Sequence, residues 1–144
     1  MKIAKEFRWE MGHRLLCHKG KCFNLHGHSY KLLVEFQGGV ESNGMVIDYF
    51  DVKEIIAPIV EELDHSVIIN AEDVKLKDAI ESLNSDHVIV NFETTAENLC
   101  HYFLDKIKAA NLPNNITNIM VKVFETENTY AEETLSLIDY SNHD

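Results

Sequence analysis

The chain has 144 residues, 45% of them hydrophobic, with a net charge of −11 and three cysteines. That length is most simply one domain over 1–144, with enough apolar chain for a buried core. No run of about 18 apolar residues marks a membrane span, and the N-terminus lacks the apolar core of a secretory signal. The sparse, odd thiol set Cys17, Cys22 and Cys100 fits a reducing cytoplasm better than a disulfide framework. The acidic balance argues against nucleic acid as a partner. The charge is unevenly spread: residues 1–31 hold seven Lys/Arg against two Glu, a local +5, and the remainder is −16. A basic stretch in an acidic protein, here with Arg14, Lys19, Lys21 and Lys31, suits a small anionic substrate such as a phosphate ester.

Residues 2–13 alternate with the period of a strand. Phe7, Trp9, Met11 and His13 share one face, and Glu6, Arg8 and Glu10 the other. Residues 14–25 are polar, carry Gly20, and read as a functional loop. A second strand is expected over 26–37, its apolar phase running through Tyr30, Leu32, Val34 and Phe36. His26 and His28 are in step with that phase, and Gly27 between them permits close backbone approach. Gly38-Gly39 and Ser42-Asn43-Gly44 flank a turn region, and residues 45–48 suggest a short extended piece. Asp51 is expected to cap a helix with an apolar stripe of Val52, Ile55, Ile56, Ile59, Val60 and Leu63, kinked at Pro58. Residues 66–93 are less regular, with a short helix over 74–83 and a short strand over 87–90 standing out. Thr94 and Glu97 have the spacing of a capping box, opening a helix through Ala96, Leu99, Cys100, Phe103, Leu104 and Ile107. Leu112-Pro113 breaks it. Ile119, Val121, Val123 and Glu125 share a strand face, and Leu135 and Leu137 mark a final strand. The order strand, strand, helix, helix, strand, strand favours an α+β fold, an antiparallel sheet with both helices on one face.

If the first two strands pair, His13, His26 and His28 converge at one end of an apolar face. Three protein nitrogens with one open position are the donor set of a catalytic rather than a structural zinc. A core histidine is ordinarily just hydrogen-bonded, and a His-x-His pair alone carries little weight. A third in-phase imidazole and the nearby Cys22 favour a metal. His18 competes as third ligand but falls in the loop, out of strand phase. The alternative is a non-catalytic zinc-binding module, closed by Cys17 or Cys22 as fourth ligand. Glu125 continues the apolar phase of its strand. A buried carboxylate needs a partner, so Glu125 either reaches solvent or awaits a ligand with a fork of N–H donors. Cys100 reads as core and Cys17 as a bystander.

Six ordered motifs carry a resemblance over nearly the whole chain. They are His13-Arg14-Leu15, Cys22-x-x-x-His26-Gly27-His28, Gly44-Met-Val-Ile-Asp48-Tyr49, Leu63-Asp64-His65, Thr95-Ala-Glu97-Asn98 and Glu125-Thr126. Together they resemble the 6-pyruvoyltetrahydropterin synthase family. The resemblance implies the tunnelling fold (T-fold), a four-stranded antiparallel sheet with two helices on one face in the order ββααββ. Three chains close a barrel and two trimers stack into a homohexamer. It implies Zn2+ on His13, His26 and His28, and Cys22, Asp64 and His65 as the proton-transfer group of active sites between subunits. It implies Glu125, helped by Thr95, as anchor of a pterin ring, with Lys19 and Lys21 on the triphosphate. The compact chain resembles bacterial members that convert 7,8-dihydroneopterin triphosphate to 6-carboxy-5,6,7,8-tetrahydropterin, acetaldehyde and triphosphate, towards queuosine. Elimination of triphosphate alone, as in 6-pyruvoyltetrahydropterin synthesis, is the alternative. The expectation is thus a cytoplasmic enzyme of a small pterin triphosphate, with neither nucleic acid nor membrane as partner. Three positions depart from the pattern. Met11-Gly12 stand where Ala-Ala is common, Thr94 stands where a proline often precedes the threonine, and Phe23 follows Cys22 where folate-pathway variants carry glutamate.

Overall fold

Alternating burial organises the sheet in the computed structural model, which describes residues 1–138. Strand β1 (Lys2–His13) pairs antiparallel with β2 (His26–Gly38), in a register running from Lys2 opposite Gln37 to His13 opposite His26. Trp9, Met11 and His13 are buried with Tyr30, Leu32, Val34 and Phe36, while Glu6, Arg8 and Glu10 stay exposed on the other face. Helices α1 (Tyr49–Leu63) and α3 (Ala96–Lys108) cover the apolar face with Val52, Ile56, Val60 and Leu63 from one and Leu99, Phe103 and Ile107 from the other. Trp9 stacks on Tyr30 at 5.0 Å between ring centroids and meets the Phe103 ring edge-on at 5.4 Å. Strand β5 (Ile116–Thr126) adds antiparallel to β2, and β6 (Thr129–Ser136) to β5.

The α+β class stands, but the expected four strands and two helices become six and three among the described residues. Strand β3 (Ser66–Asn70) lies parallel to β1, helix α2 (Val74–Ser82) crosses over, and β4 (His87–Val90) runs parallel to β3 at the edge. The sheet order is β4-β3-β1-β2-β5-β6. Strand β3 reads Ser-Val-Ile-Ile-Asn and is largely buried on both faces. A parallel strand of that kind carries no two-residue alternation, which is why sequence periodicity passes over it.

Local corrections have equally physical reasons. Asp48, not Asp51, caps α1, its carboxylate accepting from the Phe50 amide at 2.8 Å. Asp51 sits in the first turn, where a negative charge meets the helix dipole. The helix runs through Pro58 as one element. Residues 45–48 form no strand: Glu41 and Met45 close a turn that buries Val46 and Ile47. Thr95 rather than Thr94 caps α3, accepting from the Asn98 amide at 3.2 Å. No helix among the described residues is long and apolar enough to cross a membrane.

Candidate active site

The β1–β2 register sets His13 opposite His26 and Met11 opposite His28, so two strand ends deliver three imidazoles to one spot. Ring centroids are 4.7 Å apart for His13 and His26, 5.3 Å for His13 and His28, and 4.9 Å for His26 and His28. One nitrogen from each lies within 4.8 Å of the others, a cluster that could hold a metal ion. His13 is fully buried and the other two are half-buried. His13 Nδ1 is 2.9 Å from the Thr94 carbonyl, and His26 Nδ1 is 2.7 Å from the Asn24 carbonyl. A carbonyl only accepts, so each Nδ1 carries the proton and each Nε2 is left with a lone pair. The Nε2 atoms of His13 and His28 are buried and make no hydrogen bond of good geometry, although Glu125 Oε1 lies 3.2 Å from each. Imidazole nitrogens gathered with a carboxylate in this way fit a cation of the class that prefers imidazole. Burial foremost, reinforced by His13 and His26 and opposed by Glu125, lowers the pKa of His28 below the ordinary imidazole value. The neutral ring is the ligating form.

Glu125, near the end of β5, turns towards this cluster and is not free in solvent. Its Oε1 is 3.2 Å from Nε2 of both His13 and His28. Contact with the His13 ring outweighs burial and holds the carboxyl below the usual range, with the charges of all three histidines adding to it. Beside it lies a small pocket of about 110 Å³ lined by Ala96, Glu97, Glu125, Thr129 and Tyr130. The Thr95 hydroxyl is committed to capping α3.

Cys22 lies half-buried in a single 3-10 turn, Lys21–Phe23, whose Cys22 carbonyl accepts from the Leu15 amide at 2.8 Å. The thiol is therefore carried at the same end of β1 as the histidines. Two carboxylates that no local sequence motif marks hold the base of this loop. Asp73 takes both arms of the Arg14 guanidinium at 2.6 Å, and Glu93 accepts the Leu16 and Cys17 amides at 3.0 and 3.1 Å. Arg14 also lies over the Phe23 ring at 4.7 Å. Arg14 is thus committed within the chain, as is Lys31, which sits over Phe124 and beside Glu6. Lys19 and Lys21 are exposed and have no ion-pair partner among the described residues. His18 is exposed, its Nδ1 accepting from the Gly20 amide, and stands outside the three-histidine cluster.

Asp64 and His65 are brought together, but not with the cluster. Asp64 Oδ1 is 2.9 Å from His65 Nδ1 and accepts the Glu10 amide at 2.9 Å. That amide bond foremost, with the His65 ring, lowers the Asp64 pKa. His65 has φ 59°, in the left-handed region, and its side chain is 78% exposed. It lines a depression of about 390 Å³ with Glu10, Gly12, Gly27 and Ser29 of the outward strand phase, and with Met11 and His28 of the core phase. A Cβ on Gly27 would come within 3.2 Å of the Met11 carbonyl, so the close pairing beneath that depression favours glycine.

A family model described as 6-pyruvoyl tetrahydropterin synthase matches residues 2–135. A protein of Haemophilus influenzae named 6-carboxy-5,6,7,8-tetrahydropterin synthase is 34% identical over 139 residues, covering 91% of this chain and 96% of that one. One of the same name from Aquifex aeolicus is 35% identical over 155 residues, with the same shares. The crystal structure of 6-pyruvoyl tetrahydropterin synthase from Plasmodium vivax superposes with a TM-score of 0.77 at 20% identity, covering 95% of this chain and 98% of that chain. At that identity the likeness is one of fold.

Proposed function

Because the chain belongs to the 6-pyruvoyl tetrahydropterin synthase family, we propose that it is a zinc-dependent lyase of the queuosine route. It converts 7,8-dihydroneopterin triphosphate to 6-carboxy-5,6,7,8-tetrahydropterin, acetaldehyde and triphosphate. The observation that carries this reading is the three-histidine cluster in a chain 34–35% identical, over 91% of its length, to proteins named for that product.

His13, His26 and His28 would hold Zn2+, and the ion would supply Lewis-acid chemistry to oxygens of the substrate side chain. Cys22, as its thiolate, takes a proton from that side chain, on the loop that also carries Lys19 and Lys21. The same two lysines meet the triphosphate. Asp64 accepts from His65 Nδ1, which fixes the ring with Nε2 free to pass a proton. Glu125 swings from the histidines to the pterin edge, where a carboxylate accepts two parallel N–H bonds, and Thr95 helps to form that anchor. His65 stands outside the three-histidine cluster of its own chain with its side chain largely exposed, which supports a site completed by a second copy in a cytoplasmic homohexamer.

The test is to incubate zinc-loaded protein with 7,8-dihydroneopterin triphosphate and assay acetaldehyde and the pterin product by mass. Carboxytetrahydropterin with stoichiometric acetaldehyde is the expected result. A pyruvoyl product without acetaldehyde would move the chain to the activity for which the family model is named. No turnover by the metal-loaded protein would overturn both.

A further inference from the structure

Thr94 is fully buried, yet its side chain does not cap the helix that follows it. Its Oγ1 lies 3.1 Å from His13 Nδ1, its carbonyl lies 2.9 Å from the same nitrogen, and its Oγ1 also lies 3.5 Å from the Arg14 carbonyl. The protons assign themselves. The Arg14 carbonyl has none, so the hydroxyl proton points there and an oxygen lone pair faces His13. The His13 ring N–H is then shared between two oxygens of one residue. Turning the ring over would forfeit both, so Nε2 is held towards the cluster. His26 has a single carbonyl in the corresponding role, from the exposed Asn24. The Thr94 backbone is itself fixed from both sides: the Thr95 amide and Asn98 Nδ2 both donate to the Glu93 carbonyl, and the Glu93 carboxylate holds the loop after His13.

We infer that the Thr94 hydroxyl is a positioning residue for His13, and that this chain's metal affinity depends on it. The inference rests on the reading of the three histidines as a metal site. A proline at this place, as in the pattern the chain departs from, would keep the carbonyl and lose the hydroxyl. Groups that orient a ligating histidine are worth roughly 10- to 100-fold in metal affinity. The carbonyl survives in every variant, so the low end applies here.

The experiment compares the full chain with Thr94→Val, Thr94→Pro and Thr94→Ser, titrating Zn2+ against a chromophoric chelator and following the visible absorption of bound Co2+. Thr94→Val and Thr94→Pro are expected to bind Zn2+ about 10-fold more weakly, with an altered Co2+ spectrum. Thr94→Ser, which keeps the hydroxyl, is expected to stay close to the wild-type affinity. Wild-type affinity in Thr94→Val overturns the inference, and so does an equal loss in Thr94→Ser, which would assign the effect to the methyl group. If the valine variant does not fold, the serine and proline pair decides in the same way. Wild-type chain that takes up neither ion refutes the metal-site reading itself, a separate outcome.

Discussion

Replacing Asp73 should cost stability in two separable parts. Its side chain is 3% exposed, takes two 2.6 Å bonds from Arg14, and caps α2 by accepting the Leu76 amide at 3.2 Å. Removing one partner of a fully buried pair costs about 3–5 kcal/mol, chiefly through the charge left behind. Arg14 keeps 17% of its side chain in solvent, so about 2 kcal/mol is the better figure for Asp73→Asn, which retains a capping oxygen. Asp73→Ala loses the cap as well, adding about 1 kcal/mol. For a chain of this size those losses are roughly 7 and 10 °C in Tm, read by thermal unfolding at fixed protein concentration. The Arg14 bond foremost holds the Asp73 carboxyl below its ordinary value of about 3.9. A depressed carboxylate contributes fully above that value, and the contribution is lost as pH falls through the lower folded one. The wild-type advantage should therefore be constant from pH 7 to about 5 and close below about pH 4. An Asp73→Asn protein within about 0.5 kcal/mol of wild type at pH 7, or a gap that widens in acid, would refute the reasoning.

Cys22→Ala should abolish turnover while metal content stays at the wild-type level; loss of metal instead would make the thiol a ligand. Glu93→Ala should release the Leu16 and Cys17 amides, raising their hydrogen-exchange rates at least 10-fold and KM more than it lowers kcat; unchanged exchange would mean the loop is held by other contacts. Burial pushes the Cys100 thiol up to about 11, so iodoacetamide at pH 8 should label the exposed Cys17 and spare Cys100. Equal labelling of the two would contradict the packing of α3. His65→Gly should lose activity with stability within about 1 kcal/mol of wild type, because glycine accepts the left-handed backbone that histidine holds at a cost. A large loss of stability would make His65 structural.

The long antiparallel strands were legible because each alternates with a period of two against one covered face. β1 and β2 match the expected spans to within a residue. Strand β3 was not legible, since a short parallel strand buried on both faces has no alternation to detect. The capping errors share one cause. Asp48 or Asp51, and Thr94 or Thr95, are each chemically fit to cap, and residue type alone does not decide between them. For the threonines the deciding contact is 81 residues away: the buried His13 ring takes the Thr94 oxygens, leaving Thr95 for the helix.

The same distinction runs through the site. Histidine phase is a local property, so the convergence of His13, His26 and His28 follows from two strands and one turn. The carboxylates that hold the loop after His13 act across 59 residues from Asp73 and 77 from Glu93, and nothing local separates them from the other acids of a chain with 24. Asp64 and His65 add the converse case. Their motif is plain in the sequence, but which face they serve is set by the pairing of β3 with β1, which begins at Ser66 opposite Met11. That pairing bonds the His65 amide to the Glu10 carbonyl and puts the ring beside the outward residues Glu10 and Ser29. His65, expected to share one reaction with the three histidines, thus stands outside their cluster in this chain. A site completed by a second copy, as proposed above, is the arrangement that would bring the two together.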